Sequence, residues 1–206
     1  MLGLMARKLG MTQVFDNTGS LVPVTVVRIE PNVVVAQKTE EKDGYKAVVL
    51  GVDELKKTRT LKPYAGQFPE NISPKKTLRE FRDFEKEVAP GDKLGVEVFE
   101  GIRYVDVTGV SKGKGFQGVV RRYGFGGGRK THGSKFHREP GSTGQSTYPH
   151  KSFKNRKMPG RMGREQVTVL SLRVVKIDTE KQLVLVRGAV PGNNKGLVVV
   201  RAAVKR

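Results

Sequence analysis

The sequence contains no cysteine, and this absence excludes several kinds of chemistry. A chain of 206 residues without Cys has no disulfide framework, no cysteine-based zinc site and no thiolate nucleophile. The absence also suits the reducing environment of the cytoplasm. The length fits one domain of ordinary size plus an appendage.

Long apolar runs are absent as well. No run approaches the roughly 18 apolar residues of a transmembrane helix. The first residues, MLGLMARKLGMTQVF, lack the apolar core and the cleavage site of a signal peptide. We therefore expect a soluble protein that does not bind a membrane and whose mature chain starts at Met1.

Acidic residues are scarce, above all in one segment. The chain has 39 Lys and Arg against 20 Asp and Glu, which gives a net charge of +19. Residues 111–164, here called the cationic segment, contain 14 Lys and Arg and a single acid, Glu139. This segregation of charge indicates a polyanionic partner.

The cationic segment is also poor in aliphatic side chains. Val119 and Val120 are its only Val, Ile or Leu residues, whereas it holds 12 of the 25 glycines. So little apolar surface cannot offset the entropy lost when the backbone becomes ordered. We therefore expect the segment to be largely mobile in isolation and to be ordered by its partner.

The rest of the chain has the pattern of a β protein. Short Val- and Ile-rich runs alternate with turn residues such as Asp43-Gly44, which suits a tight hairpin. The predicted strands are residues 21–29, 32–37, 45–52, 96–99, 103–110, 167–177, 182–190 and 197–204. Many short strands at hairpin spacing favour a small antiparallel barrel. We assign its strands to residues 1–54, 96–110 and 165–206.

One helix is predicted in the remaining region, residues 55–95, which we interpret as a partly helical insertion. In SPKKTLREFRDFEKEV, residues 73–88, Ser73 suits an N-cap and Pro74 the first helical position. Leu78, Phe81 and Phe84 then recur at helical spacing. Such phenylalanines belong to a packed core rather than to a functional site.

Glycines at positions 113, 115 and 118 match the spacing of dinucleotide and kinase glycine loops. The residues that follow supply no helix, no acid before Glu139 and no kinase catalytic motifs, which those sites require. GGGRKT at 126–131 has no correctly placed lysine for a P-loop. A nucleotide-dependent enzyme stays as the competing hypothesis, although we predict no enzymatic activity, no cofactor and no small-molecule substrate.

The three histidines of the chain, at positions 132, 137 and 150, offer no recognisable metal-ligand spacing and no orienting acid. We therefore predict no metal site. In these surroundings an imidazole suits stacking on a base or a hydrogen bond to a phosphate.

Binding to folded RNA explains more of these features than any other hypothesis. Lys and Arg side chains neutralise phosphates, and aromatic rings stack on bases. The predicted RNA-binding residues are Lys112, Lys114, Arg121, Arg122, Arg129, Lys130, His132, Lys135, His137, Arg138, Lys151, Lys154, Arg156, Lys157, Arg161 and Arg164; the stacking candidates are Phe116, Tyr123, Phe125, Phe136, Tyr148 and Phe153. A third hypothesis is an interaction module with a disordered basic loop.

Several separated motifs resemble those of the bacterial large-subunit ribosomal protein L-three family. The most specific is FEGIRYVDVTGVSKGKGFQGVVRR, residues 99–122, where the signature positions are Phe99, Asp106, Gly109, Ser111, Gly113-Lys114-Gly115, Gly118 and Arg122. Further similar stretches are LGLMARKLGMTQVF, DGYKAVVLGV, LREFR, THGSKFHREPGSTG and GRMGREQVTVLSLRVV. The resemblance covers essentially the whole chain.

The resemblance implies a six-stranded antiparallel β-barrel of the translation-protein type and a structural role in the cytoplasmic 50S subunit. It implies that the cationic segment threads through 23S rRNA toward the peptidyl-transferase centre. It also implies early assembly near the 3′ end of that RNA and contacts with proteins of the L-fourteen and L-nineteen families.

By the same resemblance, the tip of the cationic segment lies around Gln145–Lys151. Some relatives carry a methylated glutamine where this chain has Thr147, unless the alignment shifts by two positions to Gln145. Tyr148 and His150 are the residues expected nearest to the active RNA, where they would support its conformation.

Overall fold

The computed structural model describes residues 2–205 and is mainly β, as predicted. Its strands are β1 (Gly3–Phe15), β2 (Leu21–Arg28), β3 (Asn32–Lys38), β4 (Ala47–Glu54), β5 (Lys75–Arg82), β6 (Lys93–Leu94), β7 (Tyr104–Val110), β8 (Gly115–Gln117), β9 (Gly160–Met162), β10 (Gln166–Asp178), β11 (Leu183–Arg187) and β12 (Leu197–Ala202). The helices are α1 (Glu40–Asp43), α2 (Lys62–Ala65) and α3 (Val119–Tyr123), with 3-10 turns at Lys57–Arg59 and Val96–Phe99. No helix between residues 2 and 205 has the length and apolar character needed to cross a bilayer.

Two compact units are present in the chain. The first unit runs up to Val110 and resumes at Gln166, and the second unit is Ser111–Glu165. The second unit therefore coincides with the cationic segment extended by one residue.

The larger sheet of the first unit contains six antiparallel strands in the order β1-β12-β7-β10-β11-β2. Because β2 also pairs with β1, the hydrogen-bonded order closes on itself. β1 pairs with β12 through Gly3–Arg7 and with β2 through Arg7–Phe15. Alternate valines, including Val105 and Val107 of β7, are fully buried, which is the period-two pattern of strands with one face in a core.

The second sheet has the order β5-β4-β3-β6. The assignment of β3 and β4 to the same sheet as the other strands of residues 1–54 is therefore wrong. Both strands pair instead with strands from the predicted insertion. The two sheets share one hydrophobic core, in which Leu50 and Phe81 of the second sheet pack with Leu4 and Val107 of the first.

The predicted helix at residues 73–88 is wrong, because β5 occupies this stretch. β5 pairs with β4 over seven residue pairs, so that Phe81 lies opposite Val48. Ser73 does not cap a helix; its hydroxyl donates to Glu54 Oε1 at 2.8 Å. Pairing with the Val-rich β4 outweighs the local helical spacing, since strand preferences depend on neighbouring strands. The core interpretation of Phe81 is confirmed, for its ring is buried.

Two further strand predictions differ from the structure. Residues 96–99 form a 3-10 turn that buries Val96, Val98 and Phe99. The Val96 N–H donates to Gln182 Oε1 at 2.9 Å instead of joining a ladder. Conversely, β1 was not among the predicted strands; its second half is largely exposed although it contains Leu9, Met11 and Phe15.

Asn32 is a fully buried polar residue at the start of β3. Its Oδ1 accepts the Met5 N–H at 2.9 Å, and its Nδ2 donates to the carbonyls of Met5 at 2.9 Å and Glu30 at 2.8 Å. Met5 lies where β1 has not yet begun to pair with β2. The Asn32 amide therefore satisfies the backbone groups that a neighbouring strand would otherwise satisfy.

Candidate nucleic-acid interface

The two ends of the second unit are joined by a short ladder. The Ser111 N–H donates to the Glu165 carbonyl at 2.9 Å, and the Arg164 N–H donates to the Ser111 carbonyl at 3.2 Å. β8 and β9 continue this antiparallel pairing, with Phe116 opposite Arg161. The chain thus leaves and re-enters the first unit through paired backbone segments.

A one-turn helix, α3, follows the glycines at 113–118, although the sequence predicted none. Gly118 precedes α3 and Gly124 ends it in a left-handed conformation, with φ of 73°. Val119 is fully buried and anchors the turn. The strand before α3 pairs antiparallel with β9, so the parallel βαβ arrangement of a dinucleotide site is absent from this part of the described chain.

Arg122 is held by the second unit itself. Its Nη1 donates to the Met158 carbonyl at 2.8 Å, and its guanidinium lies against Gly160, where a Cβ would collide with it. Its Cζ also lies 5.0 Å from the centre of the Tyr123 ring, and Lys157 Nζ lies 5.8 Å from the same ring. Arg122 therefore connects the outgoing and returning parts of the chain.

Two glycines of the Gly126–Gly128 run permit a close approach within the second unit. Cβ atoms at Gly127 and Gly128 would collide with the carbonyls of His137 and Phe136, respectively. The Gly128 N–H donates to the His137 carbonyl at 3.0 Å. These glycines therefore serve a close contact between two parts of the second unit.

The predicted RNA-binding side chains are accessible. Fifteen of the sixteen are exposed, and Arg122 is half-buried. In residues 2–205 the ion pairs all join residues of the first unit, such as Lys38–Glu80 and Lys75–Glu54, both at 2.8 Å. The positive charge of the second unit is therefore not neutralised by its own carboxylates.

Exposed aromatic rings accompany these cations. Phe116 is 77% exposed, Phe153 63% and Tyr148 87%. Tyr123 and Phe136 are less exposed, and Phe125 is half-buried. Rings that already face solvent can stack on bases without first breaking a core contact.

The predicted tip is bounded by contacts on either side. Ser152 Oγ donates to the Thr143 carbonyl at 3.1 Å, and the Arg156 guanidinium donates to the Ser142 carbonyl. Gln145, Thr147, Tyr148 and His150 lie between these contacts and are all exposed. Within the described chain their side chains make no hydrogen bond.

Comparison with known proteins places the chain in a family. The model of the family described as ribosomal protein L3 matches residues 76–182. A protein named large ribosomal subunit protein uL3 from Treponema denticola is 61% identical over 206 residues, which cover 100% of this chain and 99% of the relative. Proteins of the same name from Treponema pallidum and Borrelia hermsii are 59% and 51% identical, with the same coverage.

The chain belongs to the ribosomal protein L3 family. This confirms the resemblance inferred from the motifs at 99–122 and elsewhere. Members of the L3 family are structural components of the ribosome, so the chain is not an enzyme and the nucleotide-dependent hypothesis is excluded.

Sequence reasoning missed two residues of this L3 chain that hold arginines of the second unit through backbone carbonyls. Met158 accepts the Arg122 guanidinium through its carbonyl, and Ser142 does the same for Arg156. These are backbone acceptors, so their side chains carry no signal for the role. The glycine at 160 is the sequence feature that reflects this contact, because a Cβ at this position would collide with the Arg122 guanidinium.

Proposed function

We propose that this protein, a structural constituent of the cytoplasmic large ribosomal subunit, is a primary 23S rRNA-binding protein. In this proposal it nucleates subunit assembly near the 3′ end of the RNA and extends the cationic segment toward the peptidyl-transferase centre. The observation that carries the proposal is the set of fifteen exposed cationic or imidazole side chains in the second unit, none of them ion-paired in the described chain.

Electrostatics supports RNA as the partner. Each phosphate that a Lys or Arg neutralises releases condensed counterions, which favours association at moderate salt. Ion-paired cations would first have to give up their carboxylate partners. The exposed cations of the second unit have no carboxylate partner in the described chain, so they can pair with phosphates without first breaking an ion pair.

The first unit has a supporting role in this proposal. We take the closed order of six strands as a barrel of the translation-protein type, with residues 55–95 as an inserted region. The barrel would lie at the solvent side of the subunit and contact neighbouring proteins of the L-fourteen and L-nineteen families. The paired ends at Ser111 and Glu165 would fix where the cationic segment departs.

The proposed tip gives a first prediction. Tyr148→Ala with His150→Ala removes two exposed rings without disturbing any side-chain hydrogen bond of the tip. We expect normal subunit assembly but altered translation fidelity and altered sensitivity to drugs that act at the peptidyl-transferase centre. Phe15→Ala, which removes an exposed ring of the first unit outside the cationic segment, is the control. Unaltered fidelity and drug sensitivity in the double variant would contradict the role of the tip.

Gradient sedimentation of a lysate tests the proposal as a whole. We expect the full-length protein to co-migrate with large subunits at moderate salt and to be released by high salt, because phosphate contacts weaken as salt rises. Sedimentation as a free protein at all salt concentrations would instead support an interaction module with a basic loop.

A further inference from the structure

A cross-strand row of side chains that includes two threonines lies on the outer surface of the first unit. Thr108 of β7 lies opposite Val199 of β12 on one side and Thr168 of β10 on the other. The hydroxyl oxygens of Thr108 and Thr168 are 2.8 Å apart and exposed. Each hydroxyl still has a lone pair or a proton for a ligand, since a hydroxyl can donate once and accept twice.

This row forms one wall of a groove of about 190 Å³. β5, an edge strand of the second sheet, contributes Arg79 and Phe81, and β12 contributes Arg201. Leu197 and Val199 supply apolar surface. Two guanidinium groups and no carboxylate line the groove.

The two arginines of the groove are available to an anion. Among residues 2–205 neither Arg79 nor Arg201 is ion-paired. Arg201 Cζ lies 5.6 Å from the centre of the Phe81 ring, which orients the guanidinium without neutralising it.

The nearby carboxylates are engaged elsewhere. Glu80 accepts from Lys38 at 2.8 Å and from Tyr45 at 2.9 Å, and the hydrogen bond from Lys38 holds the pKa of the Glu80 carboxyl below its usual range. Asp106, cross-strand to Arg201, accepts the Ser171 N–H at 2.7 Å. Asp83 lines a neighbouring hollow together with Glu80, Arg82 and Arg201.

We propose that this groove binds the sugar–phosphate backbone of an RNA strand, as a second contact on the first unit. The inference rests on the proposed function but concerns residues outside the cationic segment. Guanidinium groups match the geometry of phosphate oxygens, and the threonine hydroxyls can both donate to and accept from a ribose 2′-hydroxyl. The carboxylates of an acidic peptide only accept hydrogen bonds, whereas a ribose hydroxyl beside a phosphate also donates, so the pairing of guanidinium groups with threonine hydroxyls favours RNA.

The affinity test uses the full-length variant Arg79→Gln/Arg201→Gln. We expect its dissociation constant for 23S rRNA to rise roughly tenfold and the slope of log K against log salt to become shallower by about 1 to 2, because two phosphate contacts are lost. The matched control is Arg59→Gln/Arg187→Gln, which removes the same charge from exposed positions outside the groove. Its affinity should stay within twofold of the wild type.

Two further variants separate charge from folding. Arg79→Gln alone leaves the Arg201–Phe81 contact intact and should still reduce the slope by about 1. Thr168→Val keeps the charge and should weaken binding a few-fold without a change in slope. If the groove variants bind as the Arg59→Gln/Arg187→Gln control does, the groove is not an RNA site. Wild-type protein that fails to bind 23S rRNA would instead overturn the proposed function itself.

The absence of cysteine permits a direct test of the partner. Thr168→Cys creates a unique attachment point for iron–EDTA, which cleaves polymers close to its tether. In reconstituted large subunits we expect cleavage of 23S rRNA at a discrete position, and a different pattern from the exposed position Asn17→Cys. Cleavage confined to a neighbouring protein would show that the groove holds an acidic polypeptide and would contradict the proposal.

Discussion

A full-length variant with Lys130, Lys135, Arg138 and Lys154 replaced by glutamine is expected to bind 23S rRNA roughly a hundredfold or more weakly at about 0.1 M salt. The slope of log K against log salt should become shallower by about 3, since each lost phosphate contact contributes about 0.7 to 0.9. These four side chains are exposed and make no hydrogen bond within the described chain, so their replacement leaves the internal contacts of the second unit unchanged. Filter binding or calorimetry at several salt concentrations measures both quantities.

The control for this variant removes the same charge from the first unit. Lys42, Lys56, Arg59 and Lys62 are exposed, lie outside the cationic segment and form no ion pair in residues 2–205. Their replacement by glutamine lowers the net charge equally but should reduce the slope by less than 1. Equal losses in the two variants would mean that only total charge matters, and the second unit would lose its assigned role.

Replacement of Asn32 by alanine should destabilise the first unit by about 3 to 5 kcal/mol. The variant leaves the N–H and carbonyl of Met5 and the carbonyl of Glu30 without the partner that they now have. A loss of this size approaches the whole stability of many domains. Urea unfolding followed by circular dichroism measures the change in the free energy of unfolding.

Two comparisons identify the cause of this loss. Asn17→Ala, at an exposed position whose side chain makes no hydrogen bond in the described residues, should change stability by less than about 0.5 kcal/mol. Asn32→Asp keeps the acceptor for Met5 but loses donors, and burial raises the pKa of the new carboxyl. That variant should therefore be most stable at acidic pH and lose stability as pH rises. A near-neutral Asn32→Ala would show that the Asn32 amide is dispensable.

The sequence predicts the chemistry of the second unit better than its internal geometry. Charge and ring type belong to the residue itself, so Lys130 or Phe153 can be identified as candidates without knowing the path of the chain. The contact of Gly128 with His137 and the hydrogen bond from Arg122 to Met158 depend on which segments meet. These are tertiary contacts between segments distant in sequence, and they produce no periodic pattern of residue types along the chain.

The error at residues 73–88 has a similar physical origin. Lys75 is buried in β5, where its stem lies against Gly51 and its ammonium donates to Glu54 and Ser73. A lysine at a buried strand position hides the alternation that identifies a strand, whereas Leu78, Phe81 and Phe84 retain a spacing that suggests a helix. Most other strands were predicted because they are rich in valine.

The position of β12 between β1 and β7 has a consequence for synthesis. Translation proceeds from β1 toward β12, so both flanking strands keep an unpaired edge until residues 197–202 have left the exit tunnel. Exposed strand edges recruit other chains, which makes an interrupted translation product prone to aggregation and proteolysis. Only a chain translated through β12 can close the sheet, so pairing at β12 distinguishes a finished protein from an aborted one before it reaches RNA.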